Sequence, residues 1–199
     1  MPEQDPSKPS KRDKILACAL KIIMEKGDSG LTMRKLAACA GMSLSNVQYY
    51  FASKDMVLKA MVAVYAETCT RDLEALTRSI TADTPEGRAR NLILHGLEHG
   101  EHITEMCRIF RELWAIATRN RDVHRDLMGY YDNFSTLIAD FILGADASPA
   151  TRDRVRSLLL PYIEGYSITG PSLPLGKEAV AEMLVDLVMR VASEKSDSL

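Results

Sequence analysis

Ser43, Ser45, Asn46 and Gln48 crowd one short stretch of this chain with neutral hydrogen-bonding side chains. Asn and Gln each form paired bonds to adenine in the major groove of DNA, and Ser bonds to several base edges. A short helix with such residues near its N-terminus can enter the groove and read sequence. Asn46 and Gln48 are the best candidates for that readout. Leu44 is the apolar member of the stretch, and it either meets a thymine methyl or packs inward.

Base reading needs a rigid mount, and the preceding residues supply one. Ile15, Leu16, Ala19, Leu20, Ile22 and Ile23 recur at helical spacing and predict a first helix over 12–26, stopped at Gly27. Asp28-Ser29-Gly30 reads as a turn. Thr32 is placed to cap a short second helix whose Leu36, Ala37 and Ala40 face inward, and Gly41 ends it. Gly41 also lets the chain turn sharply, so that the next helix, capped by Ser43, points outward. Local preference is divided there, because Val47, Tyr49, Tyr50 and Phe51 favour strands. Ser53-Lys54-Asp55 then caps a helix that runs without Gly or Pro to about Ile80.

Residues 31–58, LTMRKLAACAGMSLSNVQYYFASKDMVL, resemble the DNA-binding signature of the TetR family of transcriptional regulators. The matching elements are Thr32, Ala40-Gly41-Met42-Ser43, Tyr49-Tyr50-Phe51 and Ser53-Lys54, followed by Leu58, and the likeness extends over about residues 11–70. It implies that Thr32 with the first amides of its helix, Arg34, Tyr49, Tyr50 and Lys54 hold phosphates. Hydroxyls, helix N-termini and cations are suited to that work. Lys8, Lys11, Arg12 and Lys14 add a basic arm. Taken singly, Thr32 and Ser53 are ordinary caps, Tyr49 and Tyr50 core aromatics and Lys54 a solvated charge. Their joint spacing favours DNA contact.

Charge is divided in the same sense. Residues 1–60 carry ten Lys and Arg against six Asp and Glu, while residues 61–199 carry fifteen against twenty-one. A basic head and an acidic remainder suit a polyanion-binding module joined to something that avoids DNA. Hydrophobic residues make up 46% and charged residues 26%, an ordinary globular balance. No apolar run is long enough to cross a bilayer, and residues 1–10 lack the apolar core of a secretory signal. The four cysteines, Cys18, Cys39, Cys69 and Cys107, form no CxxC pair, so neither a disulfide framework nor a zinc knuckle is expected. A reducing cytoplasm is the expected location.

Further helices are predicted near 85–102, 104–118, 122–143, 150–168 and 177–193, with loops at Asp146–Pro149 and Gly170–Gly176. The fold expected is all-α, about nine helices in total, with a three-helix helix-turn-helix domain and a C-terminal helical bundle. The expected division is a disordered tail over 1–10, a DNA-binding domain over 11–70, and a ligand-binding and dimerisation domain over 71–199. Cys107–Phe141 resembles family members that sense small organic molecules. Met61, Tyr65, Phe110, Trp114, Met128, Tyr131, Phe134, Tyr162 and Tyr166 are the candidate pocket, since aromatic and Met side chains suit an amphipathic ligand. Each of them alone is more often a core residue.

His95, His99 and His102 share a helix face at a spacing that can chelate a transition metal. Gly96 and Gly100 weaken that helix and no cysteine lies within the cluster, so a hydrated polar face is favoured and no metal or other cofactor is expected. Cys107 reads as a small hydrophobe rather than a redox sensor. Val155, Leu158, Leu159, Tyr162, Ile163 and Tyr166 mark one apolar face. Val180, Met183, Leu184, Leu187, Val188 and Val191 mark another. Two such helices per subunit make a four-helix homodimer interface, and burial of both faces within one subunit is the alternative. No catalytic motif stands out, and an enzyme is not expected. The sequence predicts a repressor that binds a pseudo-palindromic double-stranded DNA operator as a homodimer and is released by an unknown small organic effector.

Overall fold

The computed structural model describes residues 10–101 and 105–193. Among these, every regular element is helical, and no helix is long and apolar enough to cross a membrane. Two compact units result. The first holds residues up to Glu67 together with Arg108–Met128, and the second holds Thr68–Cys107 and Gly129–Leu199. The sequence division at residue 70 ran along the chain and gave 108–128 to the C-terminal domain, whereas the first unit takes that segment in. The reason is visible in the pairing, where Asn120 donates to Asp55 at 2.9 Å and Lys59 lies 3.9 Å from Asp126.

In the first unit, α1 (Lys11–Gly30) begins at Ser10 in a capping box, in which Ser10 and Asp13 satisfy each other's backbone N–H groups. Its regular course breaks at Gly27, whose φ of 64° is open to glycine and costly for other residues. That is the stop expected at this position. Helix α2 (Met33–Ala40) starts on Thr32, whose hydroxyl accepts from Lys35 N at 3.3 Å. It closes on Gly41 in the left-handed region, with Met42 N donating to Ala37 O and Gly41 N to Ala38 O. This pair of bonds is the Schellman closure.

Helix α3 (Leu44–Tyr50) starts on Ser43. The strand preference of Val47 to Phe51 is overridden by packing, since Val47 and Phe51 are buried on one side of the turn. Helix α4 (Lys54–Ser79) starts on Ser53, whose hydroxyl accepts from Met56 N. Ile15, Ala19, Ile23, Leu36, Ala40 and Leu58 are among the fully buried residues of this unit.

The second unit holds the rest of α4, α5 (Pro85–Glu101), the start of α6 (Glu105–Ala117), most of α7 (Arg121–Leu143), α8 (Pro149–Thr169) and α9 (Lys177–Ser193). The expected loop at 170–176 contains a short 3₁₀ turn, Gly170–Ser172. Its core joins Leu92, Ile93 and Leu97 of α5 to Ile138 and Ile142 of α7, Val155 and Leu159 of α8, and Leu184 and Val188 of α9. Arg88 binds the last carbonyls of α7, reaching Phe141 O at 2.8 Å and Ile142 O at 2.9 Å. Pro161 lies inside α8, where it removes one backbone donor.

Candidate nucleic-acid interface

The α2–α3 turn brings together most of the residues singled out for DNA contact. Thr32 and Arg34 open α2 and are exposed. Ser43 caps α3 by accepting from Asn46 N at 3.2 Å, and its hydroxyl lies 3.1 Å from that of Ser45. Ser45 and Gln48 are exposed, while Leu44 and Asn46 are half-buried. Tyr49 is 83% exposed, so it is no core aromatic. Its ring meets that of the half-buried Tyr50 edge-on, with centroids 5.2 Å apart. The result is a short, firmly capped helix with an open polar edge and a tyrosine hydroxyl held in solvent.

Lys54 has a different setting. Its ammonium lies 2.7 Å from Asp28 Oδ1 and donates to Asp28 O at 2.8 Å. Asp28 Oδ1 is itself buried and accepts no well-aligned hydrogen bond, so the ammonium serves it as a counter-charge. Lys54 therefore ties the start of α4 to the α1–α2 turn. Arg12 lies 5.4 Å from the centre of the Phe51 ring, a cation–π contact joining the start of α1 to the end of α3. Lys11 and Lys14 are exposed, and Lys8 lies outside the described residues. Sequence reading missed Asp28, because nothing local ties it to a lysine 26 residues away.

The candidate pocket residues fall into both units. In the first, Met61 is buried, Met128 is half-buried, and Tyr65 stacks on Phe110 at 5.6 Å with 24° between the rings. Phe110 meets Trp114 edge-on at 6.4 Å, and Trp114 meets His124 at 6.5 Å. In the second unit, Tyr131 and Tyr166 are buried, Phe134 lies 5.2 Å from the Tyr130 ring, and Tyr162 is at the surface, 6.3 Å from Tyr166.

One group there, Glu164, was absent from the sequence reading. Burial pushes the Glu164 carboxyl up to about 7, although the Tyr131 hydroxyl bonds to it and acts in the opposite sense. Burial also raises the Tyr130 hydroxyl well above its ordinary value, with Cys69 adding to the effect. A lone Glu on an otherwise unremarked helix face carries no signal in the sequence.

A cavity of about 490 Å³ opens elsewhere in the second unit, between the end of α4 and α5, lined by Ile80, Asn91, His95 and Glu98 among others. None of the candidate pocket residues lines it. His95 and His99 share a face as expected, with ring centres 5.2 Å apart. Burial, and then the neighbouring His99, hold His95 below its ordinary value. His102 lies outside the described residues. Cys107 donates weakly to His99 O at 3.8 Å.

The profile of the bacterial regulatory proteins of the tetR family matches residues 15–61, the stretch that forms this interface. An HTH-type transcriptional regulator in the dhlA 5' region of Xanthobacter autotrophicus is 39% identical over 188 residues, covering 94% of this chain and 93% of its own. The HTH-type transcriptional regulator BetI of Rhizobium meliloti (strain 1021) is 27% identical over 184 residues, covering 90% and 88%. Among solved structures, a transcriptional regulator of Streptomyces coelicolor A3(2) superimposes with a TM-score of 0.73 at 17% identity, over 94% of this chain and 100% of its own. The multidrug binding protein EbrR complexed with malachite green gives 0.68 at 21% identity, again over 94% and 100%. At such identities the structures establish a shared fold.

A capped helix-turn-helix unit together with a second, helical unit defines a DNA-binding transcriptional regulator. The chain belongs to the TetR family.

Proposed function

We propose that this regulator is a repressor that binds a pseudo-palindromic operator as a homodimer and is released when a small organic molecule occupies its C-terminal domain. The observation that carries the operator reading is the open edge of α3, where Ser45, Gln48 and Tyr49 are exposed beside a closed Schellman turn. Asn46 and Gln48 read bases, and Thr32, Arg34, Tyr49, Tyr50 and Lys54 hold phosphates.

The dimer reading is supported by how α8 and α9 divide their apolar residues. Val155, Leu159, Val180, Leu184 and Val188 are buried within the unit, whereas Tyr162, Met183 and Leu187 stay at the surface. Met183 and Leu187 stand one turn apart, leaving α9 with a second apolar row that a partner copy would cover. The effector reading is supported by the aromatic groups of both units, and EbrR, a neighbour in fold, was solved with malachite green bound.

Selection of bound fragments from genomic DNA tests the whole reading. The expected product is a palindrome with half-sites one helical turn apart, about 34–36 Å. Binding that shows no sequence preference and no salt dependence would sink it.

A further inference from the structure

The cavity of about 490 Å³ between the end of α4 and α5 lies wholly within the second unit. Pockets for small organic molecules commonly measure about 300–1,000 Å³, so it has the room for one. Its more buried lining is apolar, with Leu76, Ile80 and Leu94 half-buried. Ser79, Asn91 and Glu98 also line it and are exposed.

The polar groups are mostly hydrogen-bond acceptors. Ser79 gives its hydroxyl proton to Leu76 O at 2.7 Å, which leaves the lone pairs of its oxygen. Asn91 Nδ2 donates to Gly87 O at 2.8 Å, which sets the amide so that Oδ1 is the acceptor. His95 is held below its ordinary value by burial and then by His99, so it is neutral at neutral pH and keeps one ring nitrogen as an acceptor. Glu98 brings a carboxylate. Its Oε1 already receives an ammonium, that of Lys177 at 3.3 Å. Among the described residues that line the cavity none is Lys or Arg, so the lining itself offers an anion no cation. The net-negative stretch of residues 61–199 also favours a cation.

Spacing refines the ligand. Asn91, His95 and Glu98 follow one another at four and three residues, on one face of α5. They cover roughly 10 Å of helix axis, with Leu94 between the ends. We propose that this cavity binds a small amphipathic primary amine whose ammonium is held by Glu98 and His95. The hydrocarbon lies on Leu76, Ile80 and Leu94, and a second donor at its far end, such as a hydroxyl, is received by Asn91 and Ser79. An ammonium has N–H donors and no acceptor, the complement of this lining. A quaternary ammonium has the charge without the donors. None of the aromatic residues offered for the effector lines the cavity, so this is a second ligand site. The simplest alternative is a solvated groove, which would rank cations by charge alone.

Titration calorimetry of the full chain with 6-aminohexan-1-ol, in the absence of DNA, tests the assignment. The amino alcohol should saturate one site per chain. Its N,N,N-trimethyl counterpart should bind roughly tenfold more weakly for want of N–H donors, and 6-hydroxyhexanoate should not bind. Glu98→Gln should weaken the amine by about fivefold, as expected for an exposed charge pair. Asn91→Leu should weaken the amino alcohol and leave hexylamine unaffected. Lys177→Met takes the competing ammonium away from Glu98 and should tighten binding a few-fold.

A distorted cavity would weaken binding in every variant, so the opposite signs of Glu98→Gln and Lys177→Met separate recognition from damage. An amino alcohol that fails to saturate a site overturns the inference. So does equal affinity for the trimethylated compound, or wild-type affinity in Glu98→Gln. No duplex takes part, so the result stands whether or not the operator reading holds.

Discussion

The two units turn opposite kinds of surface outward. The first presents Ser45, Gln48 and Tyr49 at the edge of α3, within a stretch of sequence that carries excess positive charge. The second leaves Ile168, Met183 and Leu187 at its surface, 66%, 61% and 43% exposed, within a net-negative stretch. Polar groups on a capped helix are satisfied by water until a nucleic acid replaces it, so that face can stand free. Apolar rows on two adjacent helices are satisfied only by another apolar surface. On the proposed reading, one face exchanges water for nucleic acid and the other is covered by a second copy of the chain.

The proposed dimer face should give the largest effect when broken. Leu187→Glu places a carboxylate where a partner copy would exclude water, at a cost of several kcal/mol. Sedimentation at micromolar concentration should show a dimeric wild type and a monomeric or unfolded variant. A monomeric wild type would remove the contrast between the two faces altogether.

Next in size are the base readers. Asn46→Ala and Gln48→Ala should each cost about 1–3 kcal/mol on the selected operator and relax preference at one half-site position. The double variant Tyr50→Phe/Lys54→Ala should instead weaken binding alike on all duplexes, since phosphates carry no base information. Competition binding on matched and scrambled duplexes separates the two patterns, and a double variant equal to wild type breaks the phosphate assignment.

A third effect belongs to the second unit. Glu164 is raised from 4.5 to about 7 in the folded chain, so the native state keeps a proton that the unfolded chain releases. Its contribution to stability is complete below pH 4.5 and is lost as pH rises through 7. The linked loss is on the order of 3 kcal/mol. Glu164→Gln cannot ionise, so its stability relative to wild type should climb across that window in denaturant titrations. A difference that stays flat with pH would mean that the carboxylate is solvated.

How much of this was legible follows from how far each signal reaches along the chain. Thr32, Gly41, Ser43 and Ser53 act on residues three or four positions away, and the structure finds each in the capping role expected of it. The apolar period likewise placed the longer α-helices among the described residues within a few residues of their bounds, whereas α3 was expected from its Ser43 cap and the family resemblance. Contacts between distant residues left no local trace. Lys54 with Asp28 and Glu164 with Tyr131 are set by packing. For the same reason the aromatic candidates were recognisable as a class, whereas their grouping was not. Residues 108–128 join the first unit through pairs such as Asn120 and Asp55, which periodicity cannot announce.

The smallest effect expected is also the sharpest test of the first face, because Lys54 has two claims on it. In the structure its ammonium is held by Asp28, at 2.7 Å from the carboxylate and 2.8 Å from the carbonyl. If it also serves a phosphate, Asp28 competes with DNA for the same cation. Asp28→Asn keeps the carbonyl and removes the competing charge. Stability should fall by no more than about 1 kcal/mol, because the pair is partly solvated. Binding should tighten a few-fold on every duplex, as expected for a phosphate contact. Lys54→Met should do the reverse, weakening binding everywhere and lowering the salt slope by about 1, as expected for one lost phosphate contact. Should both variants shift stability and leave affinity and salt slope untouched, Lys54 is a strut between α1 and α4, and the phosphate grip passes to Arg34, Tyr49 and Tyr50.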